Sequence, residues 1–167
     1  MTLTHILPSL RRSLPDPMNR DRWPEFTVVS TTDVTVAGVS MLRLVDWCST
    51  PCVHTAAAVI AGTHGRPSDT ELASVVVVRV VAVGRSDMGG LTMAVDGELR
   101  RCHPVWGEIR LIGRASTAHD VPVTLGVSGA DSEARDVTLP SDVRVGDLLA
   151  VPCPGATTLH DVRVPTT

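Results

Sequence analysis

The sequence predicts a mainly-β protein: a single small β-barrel or sandwich with one or two short helices. Three observations predict it. Val75 to Val83 is nearly unbroken in β-branched and small apolar side chains, interrupted by Arg79. Branching at Cβ costs little on a pleated backbone, so such a run suits a strand with apolar contacts on both faces. Gly84 to Gly90 then supplies turn residues, and Leu91 to Asp96 reads as a returning strand before Gly97. Elsewhere, short apolar runs alternate with Gly, Pro, Ser and Asp clusters, the pattern of many short strands joined by turns.

Taken in order, residues 1–25 carry Pro8, Pro15, Pro17 and Pro24 and little periodicity. They read as an arm over the body, with a helical turn around Ile6 to Arg12. Phe26 to Ser30 and Val34 to Val36 read as two short strands joined at Ser30 to Asp33. Val39 to Cys48 has apolar residues at 41, 42, 44, 45 and 47, a short helix ending before Pro51. Cys52 to Ile60 is small and apolar, a further strand. Gly62 to Asp69 has the composition of a linker. Beyond the central hairpin, Arg100 to Pro104 reads as a loop. Val105 to Gly113, Val121 to Gly126, Ala134 to Leu139 and Leu148 to Pro152 read as strands, and the tail from Gly155 is short and polar.

The bulk numbers bound the function. A length of 167 residues suits one domain with a real core, and 43% hydrophobic residues fit a packed protein. A net charge of -3 without basic clusters, 2% aromatics and no Tyr give neither an electrostatic footprint nor stacking platforms, so no nucleic acid is expected. All 15 basic residues are Arg, which excludes a lysine Schiff base. No apolar stretch reaches transmembrane length, and the Pro-broken start lacks a signal-peptide core, so the expectation is a cytoplasmic protein with no membrane partner. Four Cys in such a setting read as thiols rather than disulfides.

Two separated pieces carry a resemblance. The first is ILPSLRRSLPDPMNRDRWP with VTVAGVSMLRLVDWCSTP. The second runs from Glu71: VVVVRVVAVGRSDMGGLTMAVDG, HPVWGEIRLIGRAS and ARDVTLPSDVRVGDLLAVPCPGA. Together they resemble the N-terminal segment and C-terminal β-domain of the fold-type III, pyridoxal-phosphate-dependent diaminopimelate decarboxylases. The resemblance implies that the (β/α)8 barrel between these pieces is missing. It divides the single domain into an arm (1–25), N-terminal strands and helix (26–61), a linker in place of the barrel (62–70) and a main β-domain (71–167).

The family's cofactor residues are absent with that barrel. Within the β-domain, the family's cysteine-containing stretch is replaced around Val127 to Asp131, its glycine-alanine-tyrosine stretch becomes Gly155-Ala156-Thr157, and its polar loop becomes Glu98 to His103. No cofactor is therefore expected.

The resemblance also implies that three loops, near 98–103, 127–133 and 153–157, meet at one rim. There His103, Glu98 and Asp131 are the candidate acid-base groups, with Glu133 beside them. Trp106, which takes the place of a family aromatic, is a candidate substrate contact together with Val127, Cys153 and Thr157. The plainer reading of the charged residues is solvated loop charge. Cys48-x3-Cys52-x-His54 invites zinc, but a strand directs Cys52 and His54 to one side without Cys48, so no metal is expected. Trp23 reads as the pin of the arm, Trp47 as a core residue of the short helix, and Asp96-Gly97 as a turn.

The function expected is a cofactor-independent enzyme of specialised metabolism, a cyclase or isomerase that holds an apolar, polyketide-like small molecule by shape. The alternative is a non-catalytic, decarboxylase-derived subunit that pairs with a paralogue, or as a homodimer, through the face the lost barrel once covered.

Overall fold

The computed structural model of the chain describes residues 2–127 and 134–164. Its architecture follows from the central run. Strand β5 extends over Pro67–Arg85, and its alternate side chains enter two different cores. Val76, Val78 and Val80 point into the barrel, while Val75 and Val77 face the N-terminal elements; all five are fully buried. This two-sided burial is why the run lacks polar alternation.

The N-terminal elements form the second layer. After α1 (Leu3–Ile6) and a 3-10 turn at Pro8–Arg12, the chain forms β1 (Val28–Val29), β2 (Val34–Val36) and β3 (Val39–Ser40). These make a small antiparallel sheet in the order β1-β2-β3. Helix α2 (Met41–Cys48) follows at once. The Ser40 hydroxyl caps it by accepting from the Arg43 amide, and Met41 and Val45, one turn apart, form its buried face. Trp47 lies on the opposite side and is 69% exposed. The expected core role of Trp47 is therefore wrong. Two residues beyond Val45 is a rotation of about 200°, away from the packed stripe.

Strand β4 (Cys52–Val59) and β5 form a hairpin whose loop closes with the Ile60 amide donating to the Arg66 carbonyl. The stretch expected as a linker through residue 70 thus ends sooner, and Pro67 already belongs to β5. Beyond β5 come β6 (Leu91–Val95), β7 (Arg110–Ile112), β8 (Asp120–Val127), β9 (Arg135–Pro140) and β10 (Leu148–Pro154). The order across the large sheet is β7-β10-β5-β6-β8-β9, with β4 also paired to β5. All pairings are antiparallel except β6 with β8, which is parallel. The sheet curls into a nearly closed barrel, left open between its edge strands β7 and β9.

Two local structures differ from expectation. Residues 105–109, expected as strand, include a 3-10 turn at Trp106–Glu108 that packs against β9 at the open seam. The tail carries α3 (Leu159–Val162), opened by a capping box in which Thr158 and Asp161 bond each other's backbone amides. Val162 of α3 is fully buried in the barrel core, and its carbonyl accepts from the Glu98 amide at 2.8 Å. The Thr-x-x-Asp signal was present in the sequence.

Gly97 is where these elements meet. A Cβ at this position would lie 2.6 Å from Val78 Cγ1 and 3.3 Å from Pro51 Cβ. Gly97→Ala is expected to cost about 1–3 kcal/mol through overpacking. Chemical denaturation measures it, and an unchanged midpoint would mean that Gly97 is not packed against Val78 and Pro51.

Candidate functional site

The sequence places Glu98 through Trp106 between β6 and β7, and the fold holds this segment from both ends. Asp96 fixes the start: its Oδ1 accepts from the Arg79 amide at 2.8 Å and its Oδ2 from the Thr50 hydroxyl. Asp96 is thus the turn residue expected. At the other end the Val105 amide donates to the Pro152 carbonyl of β10 at 2.9 Å. Between them, Arg100–Cys102 is a 3-10 turn, and His103 takes the left-handed conformation (φ 50°, ψ 57°) immediately before Pro104. Left-handed backbone is uncommon for a residue with a Cβ. At His103 it reverses the chain and leaves the imidazole exposed.

This segment borders a cavity of about 500 Å³. Val95, Leu99 and Leu125 supply its apolar surface, Trp106 and Pro104 one wall, and Glu98, Arg100, His103 and Arg135 its polar groups. The Glu98 side chain is 13% exposed. One of its oxygens accepts from the Arg100 amide at 2.9 Å, and the Arg100 guanidinium stands 3.4 Å away. A half-paired carboxylate at the edge of an apolar cavity can accept a further hydrogen bond from a ligand.

Of the residues singled out from sequence, the cavity gathers Glu98, His103 and Trp106. Gly126 and Arg135, which flank the second expected loop, line it as well. Asp131 and Glu133 lie outside the described residues. Val127 ends β8 opposite Val95, and its side chain also lies outside the described residues. Cys153 and Thr157 are not in the lining. They are buried in the core, where the Cys153 thiol donates to the Val151 carbonyl and the Thr157 amide to the Ser74 hydroxyl. Leu99, Leu125 and Arg135 had no distinguishing signal, because their segments meet only through the parallel pairing of β6 with β8 and the antiparallel pairing of β8 with β9, which sets Arg135 opposite Leu125.

The thiols sort by burial. Cys48 is exposed; Cys52, Cys102 and Cys153 are buried. Burial, with the nearby Cys48 and Asp96, pushes the Cys52 thiol up to about 11. The neighbouring Cys153 favours the thiolate of Cys102 over its desolvation, while the neighbouring Cys102 and burial keep Cys153 protonated. His54 Nε2 is buried without a partner, and among the described residues no three His, Cys, Asp or Glu side chains gather to hold a metal ion. A thiol-specific disulfide reagent is expected to modify one Cys in the native protein and all four after unfolding. Rapid native modification of a second thiol would contradict the packing around α3 or β4.

The polar anchors of the arm complete the surroundings. Arg11, 5% exposed, donates to Asp16, to the Ala118 carbonyl and, at 2.6 Å, to Asp120. Trp23 is fully buried, and its indole donates to Glu108 at 2.9 Å. Trp23 is the expected pin of the arm. Among the described residues no helix is long and apolar enough to cross a membrane.

Neither a protein-family model nor a curated protein matches the chain. Among solved structures it is similar to the arginine decarboxylase of Paramecium bursaria Chlorella virus. The enzyme bound to agmatine aligns with a TM-score of 0.36 and 19% identity, over 49% of this chain and 24% of that one. A second structure of the same enzyme aligns with a TM-score of 0.40 and 17% identity, over 55% of this chain and 28% of that one. The chain spans about a quarter of that enzyme's length, and the alignments take in about half of this chain.

Proposed function

We propose that the chain is a decarboxylase-type β-domain standing without a (β/α)8 barrel, and that its rim cavity binds a small, mainly apolar molecule. The observation that carries this reading is the cavity of about 500 Å³ in which an apolar surface and Trp106 meet the partly buried Glu98 and the exposed His103. Binding sites for small molecules combine such a surface with a few polar groups that set orientation. The chemistry that fits these groups is proton transfer on a shape-held substrate, with Glu98 accepting a proton and His103 exchanging one at the mouth. Ring closure or isomerisation of a polyketide-like compound, without a cofactor, belongs to this class.

The test is retention and conversion measured separately. The purified protein is incubated with a metabolite extract of its producer, and bound compounds are identified by mass spectrometry after gel filtration. A compound retained by the wild type and lost with Trp106→Ala supports the rim cavity. Conversion of that compound, lost in Glu98→Gln and His103→Gln while retention persists, supports the assigned roles. Equal retention by wild type and Trp106→Ala would sink the proposal.

A second reading is favoured by the 69% exposure of Trp47 and the 68% exposure of Phe26, large apolar surfaces for a small protein. In it the chain is a non-catalytic subunit that dimerises. Sedimentation equilibrium showing a dimer that Trp47→Glu dissociates would support it, and a monomer at all concentrations would reject the homodimer.

A further inference from the structure

The barrel's open seam between β7 and β9 holds a second cavity, of about 430 Å³, distinct from the proposed rim site but sharing the wall Trp106. Ile109 and Leu111 line one side, Val137 and Leu139 of β9 the other, and residues 14–17 of the arm border it.

Three guanidinium groups reach this cavity, and two are matched by carboxylates. Arg11 is paired with Asp16 and Asp120, and Arg114 with Asp142 and Asp147. Arg110 touches no carboxylate among the described residues. Its Nη1 donates to the Asp16 carbonyl at 2.8 Å, its Nη2 to the Pro17 carbonyl at 3.0 Å, and its buried Nε has no partner. Burial outweighs the pull of Asp16 and Glu108 and weakens its hold on the proton, yet a guanidinium remains charged in any protein. The barrel therefore keeps a cation with no direct carboxylate partner beside a cavity of mixed lining, in which Asp16, Glu108, Asp120 and Asp136 stand alongside the apolar side chains, and two backbone carbonyls of a segment from outside the sheet hold it. Carbonyl oxygens there occupy positions that the two oxygens of a carboxylate would fill with greater strength.

We propose that the seam cavity is a carboxylate-binding site. An aliphatic carboxylate places its oxygens on Arg110 in place of the Asp16 and Pro17 carbonyls and passes its chain around the edge of β7 to the barrel-side residues Ile109, Leu111, Val137 and Leu139. Residues 14–17 move aside to admit it. The proposal concerns a different cavity from the rim site and does not depend on it.

The test titrates the full chain with hexanoate and, separately, with hexan-1-ol, which has the same chain without the charge. Calorimetry reads affinity, and hydrogen exchange reads residues 14–17 through the amides of Leu14 and Asp16, since Pro15 and Pro17 carry none. Saturable binding of hexanoate at least tenfold tighter than hexan-1-ol, with faster exchange at 14–17, is expected. Arg110→Gln should remove the preference for the acid, while Arg12→Gln, a change at an exposed arginine of the arm, should keep it. Equal affinity for acid and alcohol, no saturable hexanoate binding in the millimolar range, or unchanged exchange at 14–17 would each overturn the proposal, as would an Arg110→Gln protein that binds hexanoate like the wild type. If Arg110→Gln does not fold, the acid-alcohol comparison and the exchange data on the wild type decide alone.

Discussion

Trp23→Ala is expected to lower the unfolding free energy by about 3–5 kcal/mol, the range for removing a large aromatic from a packed core. Trp23 is fully buried among Val34, Val36, Met41, Val75 and Val77, so its ring joins the small N-terminal sheet to the outer face of β5. Its indole is also one of two donors on Glu108, the other being the Asn19 amide at 3.2 Å. Trp23→Phe keeps most of the ring volume and loses that donor, so it should cost less, about 1–2 kcal/mol. Urea unfolding followed by circular dichroism makes the comparison. A cost below about 1 kcal/mol for Trp23→Ala would mean that the N-terminal layer is not part of the cooperative fold.

Arg114→Ala is the second large effect, at about 3–5 kcal/mol, because it leaves a buried carboxylate with only the Arg144 amide at 2.9 Å and the exposed Arg144 guanidinium at 3.9 Å. Arg114 forks onto both oxygens of Asp147, at 2.8 and 2.7 Å, and the Asp147 side chain is only 6% exposed. The Asp142 contact at 3.0 Å involves a side chain 45% exposed and adds little of its own. Arg114→Lys should recover only part of the loss, since an ammonium cannot reproduce the fork.

The pH dependence has a definite sign. Burial raises the Asp142 pKa, but the Ser116 hydroxyl and Arg114 outweigh it and hold the group below its ordinary 3.8. A depressed carboxylate contributes stability that is full above the unfolded value and lost as pH falls through the folded one. The stability gap between wild type and Arg114→Ala should therefore narrow from about pH 5 to about pH 3. A gap that widens on acidification would rule out this pairing.

What could be read in advance was decided by burial on two faces. The run Val75 to Val83 announces itself because both of its sides meet apolar cores, and the central hairpin was legible for that reason. The first part of β5, residues 67–72, was not: Asp69, Thr70, Glu71 and Leu72 are exposed, and the stretch is tied to β4 only at Pro67 and Leu72, on either side of an irregularity in the register. Trp47 misled because apolar content does not state which side of a two-turn helix is packed. The site shows the same division. Glu98, His103 and Trp106 lie close in sequence, and one segment carries all three to the rim. Leu125 and Arg135 arrive by strand pairing across long chain separations, and Arg110 looked like an ordinary polar position within a short strand.

The long strand β5 sits between a near neighbour and a distant one. Its pairing with β4 closes over a few residues, whereas β10, which seals the same backbone and supplies Leu149, Ala150 and Val151 to the two cores, is more than sixty residues later in the chain. During synthesis the β4–β5 hairpin emerges with its valines unpaired along one edge and must wait for that late partner. Productive biogenesis of this protein should therefore depend on whatever shields a nascent apolar strand edge, and slowing translation between β5 and β10 should raise aggregation rather than aid folding.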